Sequence, residues 1–124
     1  MKILIVNTSD LEGGAARASY RLHKSLLAIH VDSKMLVQNK SSDDFTVIAE
    51  TSKLRKSFNK LRPTIDSLPI GFFKERTKTL FSPSWFGFGN IADKINELNP
   101  DIVHLHWICG GMLKIENLLK IRPP

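Results

Sequence analysis

The sequence predicts an α/β protein with a Rossmann-like open parallel sheet and helices on both faces. An apolar run, KILIV, occupies residues 2–6, and a second strand-like run, DIVHLHW, occupies residues 101–107. Runs of this kind are typical of strands buried on both faces of a parallel sheet. Apolar residues spaced three and four apart, as in helices with one buried face, lie between and beyond them. Because strand-like and helix-like segments alternate, we expect helical crossovers between parallel strands.

The first 50 residues predict most of the sheet and one helix. Three segments match the strand pattern: residues 2–6, 33–38 and 45–50. Apolar positions along the chain predict a helix with one buried stripe, formed by Ala15, Ala18, Leu22, Leu26 and Ile29. His30 follows where glycine commonly ends a helix, so we expect it to adopt the left-handed conformation at a cost of about 1 kcal/mol.

The middle of the chain has a different character, and we name residues 51–88 the basic aromatic segment. It contains three prolines and most of the aromatic residues, and we expect helical pieces near 51–60 and 64–75 and a loop over 79–88. The regular pattern then returns with a helix over 91–98, a strand over 101–107 and a last helix beginning near Met112.

Composition limits the class of protein. With 124 residues the chain has room for one domain with a modest core, and no apolar run reaches the roughly 20 residues that a membrane-spanning helix needs. The single cysteine, Cys109, has no partner for an internal disulfide, which is typical of a reducing compartment. We therefore expect a cytoplasmic protein.

The glycine pair at Gly13 and Gly14 stands where the first strand leads into the first helix. A turn of this kind directs backbone N–H groups and the positive end of the helix dipole at one point, which suits a phosphate or diphosphate. Arg17, in the first helical turn, could add a charge-assisted contact. Neither the GxGxxG fingerprint nor the P-loop motif is present, so a dinucleotide site is not expected. The alternative is that the two glycines only permit a tight turn.

The motif HLHWICGG at residues 104–111 ends the last predicted strand. Strand alternation places His104 and His106 on one face, near the edge where open α/β sheets bind ligands. We take His104, His106, Trp107, Gly110 and Gly111 as candidate substrate-binding residues, the two glycines opening a helix with bare backbone. No further ligand cluster accompanies the histidines, so we expect neither a metal site nor a cofactor. The alternative is a pair of half-buried structural histidines.

With both glycine turns identified, the sequence resembles a known family over essentially its whole length. The stretches MKILIVNTSDLEGGAARASYRLHKSLL, SKMLVQNK, FSPSWF and NPDIVHLHWICGGML are similar to the N-terminal domain of family 4 glycosyltransferases of the GT-B fold. The bacterial enzymes of capsule, exopolysaccharide or lipopolysaccharide synthesis are the most similar in pattern.

The resemblance implies a function and its partners. Such enzymes transfer a sugar, with retention at the anomeric carbon, from a nucleotide-sugar donor to a glycan or lipid-linked acceptor, usually without an obligatory metal. Their first domain mostly holds the acceptor. Carried over, Gly13 and Gly14 match the loop that approaches the donor diphosphate, Arg17 starts the helix after it, and His104, His106 and Trp107 match the strand end that faces the cleft.

The chain also departs from the family pattern. It lacks the strand ending in a His-Asp pair that follows in relatives, and it lacks the donor-binding C-terminal domain. We therefore expect residues 1–124 to be a partial acceptor-side domain that is inactive alone, with its catalytic residues unassigned. Cys109 stands where such sequences often carry asparagine, which leaves a polar contact from that position in doubt.

The basic aromatic segment contains eight basic and two acidic residues, and this excess equals the whole net charge of +6. Three interpretations stay open: an anionic membrane surface, a nucleic-acid surface, or core aromatics beneath solvated charges. Of the partners we favour the inner face of the cell membrane over nucleic acid. The candidate membrane contacts are Lys53, Arg55, Lys56, Phe72, Phe73 and Trp85. If the chain is no part of an enzyme, it is a non-catalytic module that binds a phosphate-bearing ligand or an anionic membrane.

Overall fold

A computed structural model of the chain describes residues 1–49, 61–73, 81–85, 87 and 90–122. Within these residues four parallel strands form one sheet: β1 (Lys2–Ser9), β2 (Asp32–Asn39), β3 (Val47–Ala49) and β4 (Ile102–Leu105). Their order in the sheet is β3-β2-β1-β4. The chain therefore moves outward from β1 to β3 and then returns to the other side of β1. The point where the order reverses lies between β1 and β4, and open α/β sheets bind ligands at such a point.

Helices cover the two faces of this sheet. Helix α1 spans Gly14–Ala28, α2 is described over residues 61–67 and continues as a 3-10 turn over Leu68–Phe72, α3 spans Ile91–Leu98, and a 3-10 helix spans Ile115–Lys120. Alternate residues of β1 divide between two cores because successive side chains of a strand point to opposite faces. Ile5 packs beneath α1 with Met35, whereas Leu4 packs with Ile95 of α3. The predicted fold class, an open parallel sheet with helices on both faces, is confirmed.

The strand bounds differ from the predicted ones where polar residues end a strand. β1 extends to Ser9 because Asn7 and Ser9 still pair with β2, opposite Val37 and Asn39. The last strand stops at Leu105, before the predicted end at 107. The helix expected from Met112 is wrong in its start and type, since the chain turns there and forms a 3-10 helix only from Ile115.

Helix α1 buries only part of the predicted stripe. Leu22 and Leu26 pack against the core, whereas Ala15, Ala18 and Ile29 are exposed. The fully buried positions are Ala16, Ser19 and His23. His23 can enter the core because both ring nitrogens hydrogen-bond with hydroxyls, Nδ1 with Ser33 Oγ at 2.8 Å and Nε2 with the Thr46 Oγ1 at 2.7 Å. Polar side chains, which a count of apolar spacings overlooks, thus form part of the face that α1 buries.

The end of α1 confirms the conformation predicted for His30, whose φ is 60°. The His30 amide donates to the Leu27 carbonyl at 3.0 Å, and the Val31 amide donates to the Leu26 carbonyl at 3.0 Å. This pair of bonds is the Schellman arrangement, in which glycine usually takes the left-handed position. Histidine therefore carries a backbone strain that glycine would not.

Two further expectations concern the basic aromatic segment. The helix expected over 51–60 lies outside the described residues, while the one expected over 64–75 corresponds to α2 and the 3-10 turn that ends at Phe72. Residues 81–85 and 87 are neither helix nor strand, as predicted. In the part of the chain that the structure describes, no helix combines the length and apolar character needed to cross a bilayer.

Candidate functional site at the carboxyl edge of the sheet

A cavity of about 310 Å³ lies at the carboxyl ends of β1, β2 and β4. This volume is at the lower end of the range of small-molecule sites. The cavity is lined by Thr8, Ser9, Glu12, Gln38, Asn39, Pro63, Asp66, Ser67, Phe81, Ser82, Trp107, Cys109 and Gly110. Five separate parts of the chain thus meet at the edge where the topology favours a ligand.

The ends of β1 and β4 are joined through the buried side chain of Asn7. Its Oδ1 accepts a hydrogen bond from the Trp107 amide at 2.8 Å, and its Nδ2 donates to the Ser9 carbonyl at 2.5 Å. The Thr8 amide also donates to the Trp107 carbonyl at 2.9 Å. The pairing of the two strands therefore continues past Leu105, which fixes Trp107 against the start of the glycine turn.

Asp10 fixes the loop that follows β2. The side chain is fully buried, and its two oxygens accept hydrogen bonds from the Ser41 and Ser42 amides, each at 2.9 Å. Burial acts to raise the pKa of the Asp10 carboxyl, but the hydrogen bonds from Ser42 and Ser41 outweigh it, so the pKa lies below its ordinary value. Asp10 is thus an ionised structural clamp between two loops of this edge.

Asp66 brings a carboxylate from α2 into the lining of the cavity. Its side chain is only 1% exposed, and its Oδ2 accepts a short hydrogen bond from the Ser82 hydroxyl. Ser82 Oγ in turn accepts a hydrogen bond from the Gly110 amide at 2.8 Å. The other carboxylate oxygen, Oδ1, is buried and has no hydrogen-bond partner among the described residues. A chain of hydrogen bonds along one side of the cavity therefore connects the Asp66 carboxylate, through the Ser82 hydroxyl, to the turn after β4.

Arg62, one helical turn before Asp66, is also buried. One guanidinium nitrogen, Nη1, lies 3.5 Å from Gln38 Oε1 and 3.4 Å from the Gly111 carbonyl, donating weakly to both. These contacts attach α2 to the end of β2 and to the turn after β4. The positive charge of Arg62 therefore lies next to Gln38, which lines the cavity, although Arg62 itself does not.

The predicted glycine turn lies open beside the cavity. Gly13 has φ 92° and ψ 171°, and a Cβ added at Gly13 or Gly14 would meet no atom within 4 Å. Glu12, the residue before them, lines the cavity. Arg17 is exposed in the first turn of α1 and, like the two glycines, lies outside the lining itself. The turn thus offers uncovered backbone next to the cavity.

His104 lies in β4 and His106 directly follows that strand, and neither residue lines the cavity. Their ring centroids are 4.4 Å apart, His104 being exposed and His106 half-buried. Burial lowers the pKa of His106, and the neighbouring His104 lowers it further. His106 Nε2 is buried without a hydrogen-bond partner among the described residues. The described residues contain no group of three or more His, Cys, Asp and Glu side chains that could hold a metal ion.

Of the remaining candidate residues after β4, two line the cavity and one contacts a residue of α2. Trp107 and Gly110 line the cavity, whereas Gly111 is buried and accepts the contact from Arg62. Both glycines have positive φ, 68° and 77°. The prediction that they open a helix with bare backbone is wrong, because the Gly110 amide is occupied by Ser82 and the next helix begins only at Ile115.

The candidate membrane contacts are described only in part. Lys53, Arg55 and Lys56 lie outside the described residues. Phe72 and Phe73 are 87% and 69% exposed, so the interpretation of these two aromatics as core is wrong. Trp85 is half exposed, and its indole N–H donates to the Asp66 carbonyl at 3.1 Å.

Sequence reasoning missed the acidic members of the site. Glu12 stands directly before the glycine pair, and this position could have identified it as a site residue. Asp66 and Ser82 gave no local signal, because they meet only through the packing of α2 against the loop at 81–85.

No protein-family model matches the sequence, and searches of the curated proteins and of the solved structures also give no match. The resemblance to glycosyltransferases therefore stays a prediction that depends on the motifs quoted above.

Proposed function

We propose that this chain is the acceptor-side part of a retaining GT-B glycosyltransferase that builds cell-surface polysaccharide. In this proposal the donor is a nucleotide-sugar, and the acceptor is a glycan or a lipid-linked sugar at the cytoplasmic face of the membrane. The cavity at the carboxyl edge holds the acceptor, and the glycine turn approaches the donor diphosphate.

One observation carries the proposal: an uncovered glycine turn stands directly beside a cavity at the point where the strand order reverses. The absence of any atom within 4 Å of an added Cβ means that internal packing requires neither glycine, although the positive φ of Gly13 does favour glycine there. Exposed backbone at the start of a 15-residue helix favours an anion electrostatically. The exposed Arg17 can add a second donor to the same anion.

A titration followed by amide NMR tests this assignment. Inorganic pyrophosphate, UDP-glucose and GDP-mannose serve as probes, and saturable shifts are expected at the amides of residues 13–16. Because a dissociation constant near 1 mM corresponds to only about 4 kcal/mol, probe concentrations of about 10 mM are needed. The complete absence of shifts at these amides with all three probes would refute the proposal.

A pair of charge variants supplies the matched control. Arg17→Gln removes the cation beside the glycine turn, whereas Lys34→Gln removes an exposed cation on β2 near the opposite edge of the sheet. The net charge changes equally in the two variants. Pyrophosphate binding is expected to weaken only in Arg17→Gln, because a general charge effect would act on both.

The exposure of Phe72 and Phe73 favours a second function, binding to an anionic membrane surface. Two adjacent phenylalanines that are 87% and 69% exposed stand at the end of a 3-10 turn in the segment that carries the whole excess of positive charge. Exposed aromatic side chains insert at the membrane interface, and basic residues add about 1 kcal/mol each near anionic head groups.

Sedimentation with vesicles of phosphatidylglycerol and phosphatidylcholine tests this function. Binding is expected to weaken with added salt and in a double variant in which Phe72 and Phe73 are replaced by serine. The matched control is Phe45→Ser, since Phe45 is also exposed, at 92%, but lies outside the basic aromatic segment. Equal binding by the two variants would contradict the role of the Phe72–Phe73 pair.

A further inference from the structure

We propose that the cavity at the carboxyl edge accepts an uncharged sugar unit, bound through Asp66, and discriminates against phosphorylated sugars. The role of this sugar as the acceptor of a transferase rests on the proposed function. The binding of a neutral sugar in the cavity does not depend on that function.

The charges around the cavity disfavour an anion. The acidic residues Glu12 and Asp66 both line the cavity, and among the described residues no lysine or arginine does. The buried Arg62 contacts Gln38 from behind and offsets one of the two negative charges, so the group of three stays net negative. A phosphate inside the cavity would be repelled by both carboxylates, and more strongly by Asp66, because that residue is 1% exposed and little screened by water whereas Glu12 is exposed.

The Asp66 carboxylate has an unused acceptor for a ligand hydroxyl. Oδ2 accepts from Ser82, while the buried Oδ1 has no partner among the residues that the structure describes. A buried carboxylate oxygen without a hydrogen bond is costly, and a ligand donor that reached it would remove this cost. Sugar hydroxyls are such donors, and their hydrogen bonds to a carboxylate are charge-assisted.

The rest of the lining fits a sugar ring as well. Trp107 and Phe81 supply aromatic surface, and the electron-rich face of an aromatic ring attracts the slightly positive C–H groups of a sugar. Gln38, Asn39 and Ser67 add amide and hydroxyl groups around the same space. Apolar walls with a small number of polar groups are typical of sites that orient a small ligand.

Cys109 offers a reporter for this cavity, because it is the single cysteine of the chain and lines the same space. Alkylation of Cys109 by iodoacetamide is measured by mass spectrometry with glucose, galactose, mannose or N-acetylglucosamine, and with the phosphates of the first three. Amide NMR gives the dissociation constants from the shifts of Trp107 and Gly110. At least one neutral sugar is expected to bind and to slow alkylation, with its phosphate binding about tenfold more weakly.

Three variants test which groups discriminate. Asp66→Asn should weaken neutral-sugar binding about tenfold, because it replaces a charged acceptor by a neutral one. Glu12→Gln, at an exposed position that the fold does not depend on, should improve sugar-phosphate binding relative to neutral-sugar binding about threefold. Asp93→Asn, an exposed acidic residue in α3, serves as the control and should change neither.

The outcomes separate this inference from the proposed function. Failure of all four neutral sugars to shift the cavity amides, or equal or tighter binding of the sugar phosphates there, would overturn the inference. Equal sugar binding by a folded Asp66→Asn and by the wild type would also overturn it. Pyrophosphate is expected to shift the amides of residues 13–16 without protecting Cys109. Neutral-sugar binding without a pyrophosphate response would therefore support the inference while refuting the proposed donor turn.

Discussion

Alanine substitutions at Gly13 and Gly14 are expected to change stability in opposite directions although the two residues are adjacent. Gly13 has φ 92° and ψ 171°, a backbone region that is essentially restricted to glycine. Alanine at Gly13 should therefore lower the free energy of unfolding by about 1–3 kcal/mol. Its methyl group would meet no atom within 4 Å, so the whole cost is backbone strain and not steric overlap.

Gly14 has none of this strain. It is the first residue of α1, its φ is not positive, and an added Cβ again meets no atom within 4 Å. Alanine at such a position restricts the unfolded chain and stabilises a protein by about 0.4–1 kcal/mol. The two variants should therefore differ in free energy of unfolding by about 1.5–4 kcal/mol.

Urea unfolding of the two variants measures this difference, and pyrophosphate titration tests the site in parallel. Both added methyl groups would occupy the open space where we propose that the diphosphate approaches the backbone. Binding should therefore weaken in both variants, although only Gly13→Ala is less stable. Equal stability of the two variants would refute the backbone argument. Wild-type pyrophosphate binding by Gly14→Ala would refute the close approach of the anion.

Three further predictions concern stability, measured by urea unfolding. His30→Gly should stabilise the protein by up to about 1 kcal/mol because the left-handed position no longer carries a Cβ; His30→Ala should show no such gain. Gly87→Ala should destabilise it by about 1–3 kcal/mol because the new Cβ would lie 2.5 Å from the Lys114 backbone nitrogen, whereas Gly71→Ala, with no atom within 4 Å, should not. Burial lowers the pKa of His23, so stability should be lost as the pH falls below about 6.5 and through the lowered pKa. His23→Gln should lose less stability over that range, and an unchanged pH dependence would contradict this role.

β1 and β2 could be predicted from the sequence because they are apolar runs with buried side chains on both faces of the sheet. β4, which the sequence also predicts to be a buried strand, has no buried residue because it lies at the edge of the sheet that the described residues form. The strand ends could not be predicted, because Asn7 and Ser9 are polar and yet continue the pairing of β1 with β2. Part of the face that α1 buries also could not be predicted, since His23 is a polar residue whose hydroxyl partners lie outside α1. Patterns along the chain thus predict which segments pack, whereas polar contacts across the fold decide where each segment ends.

The residues of the candidate site also differ in whether the sequence alone could place them. Gly13, Gly14, Trp107 and Gly110 stand next to strand ends, so the sequence alone could place them at the carboxyl edge. Asp66 could not be placed there, because its position depends on how α2 packs against the loop at 81–85. A carboxylate delivered from a separate helix carries no local signal in the sequence.

The hydroxyl of Ser82 makes two hydrogen bonds at once: it accepts from the Gly110 amide and donates to the Asp66 carboxylate. A ligand hydroxyl at Oδ1 would share the Asp66 carboxylate with Ser82 and so change the strength of the contact that secures the turn after β4. Occupancy of the cavity and protection of the Gly110 amide from solvent exchange are thereby thermodynamically linked, so a change in the exchange rate of this amide on adding a sugar reports that the cavity is filled.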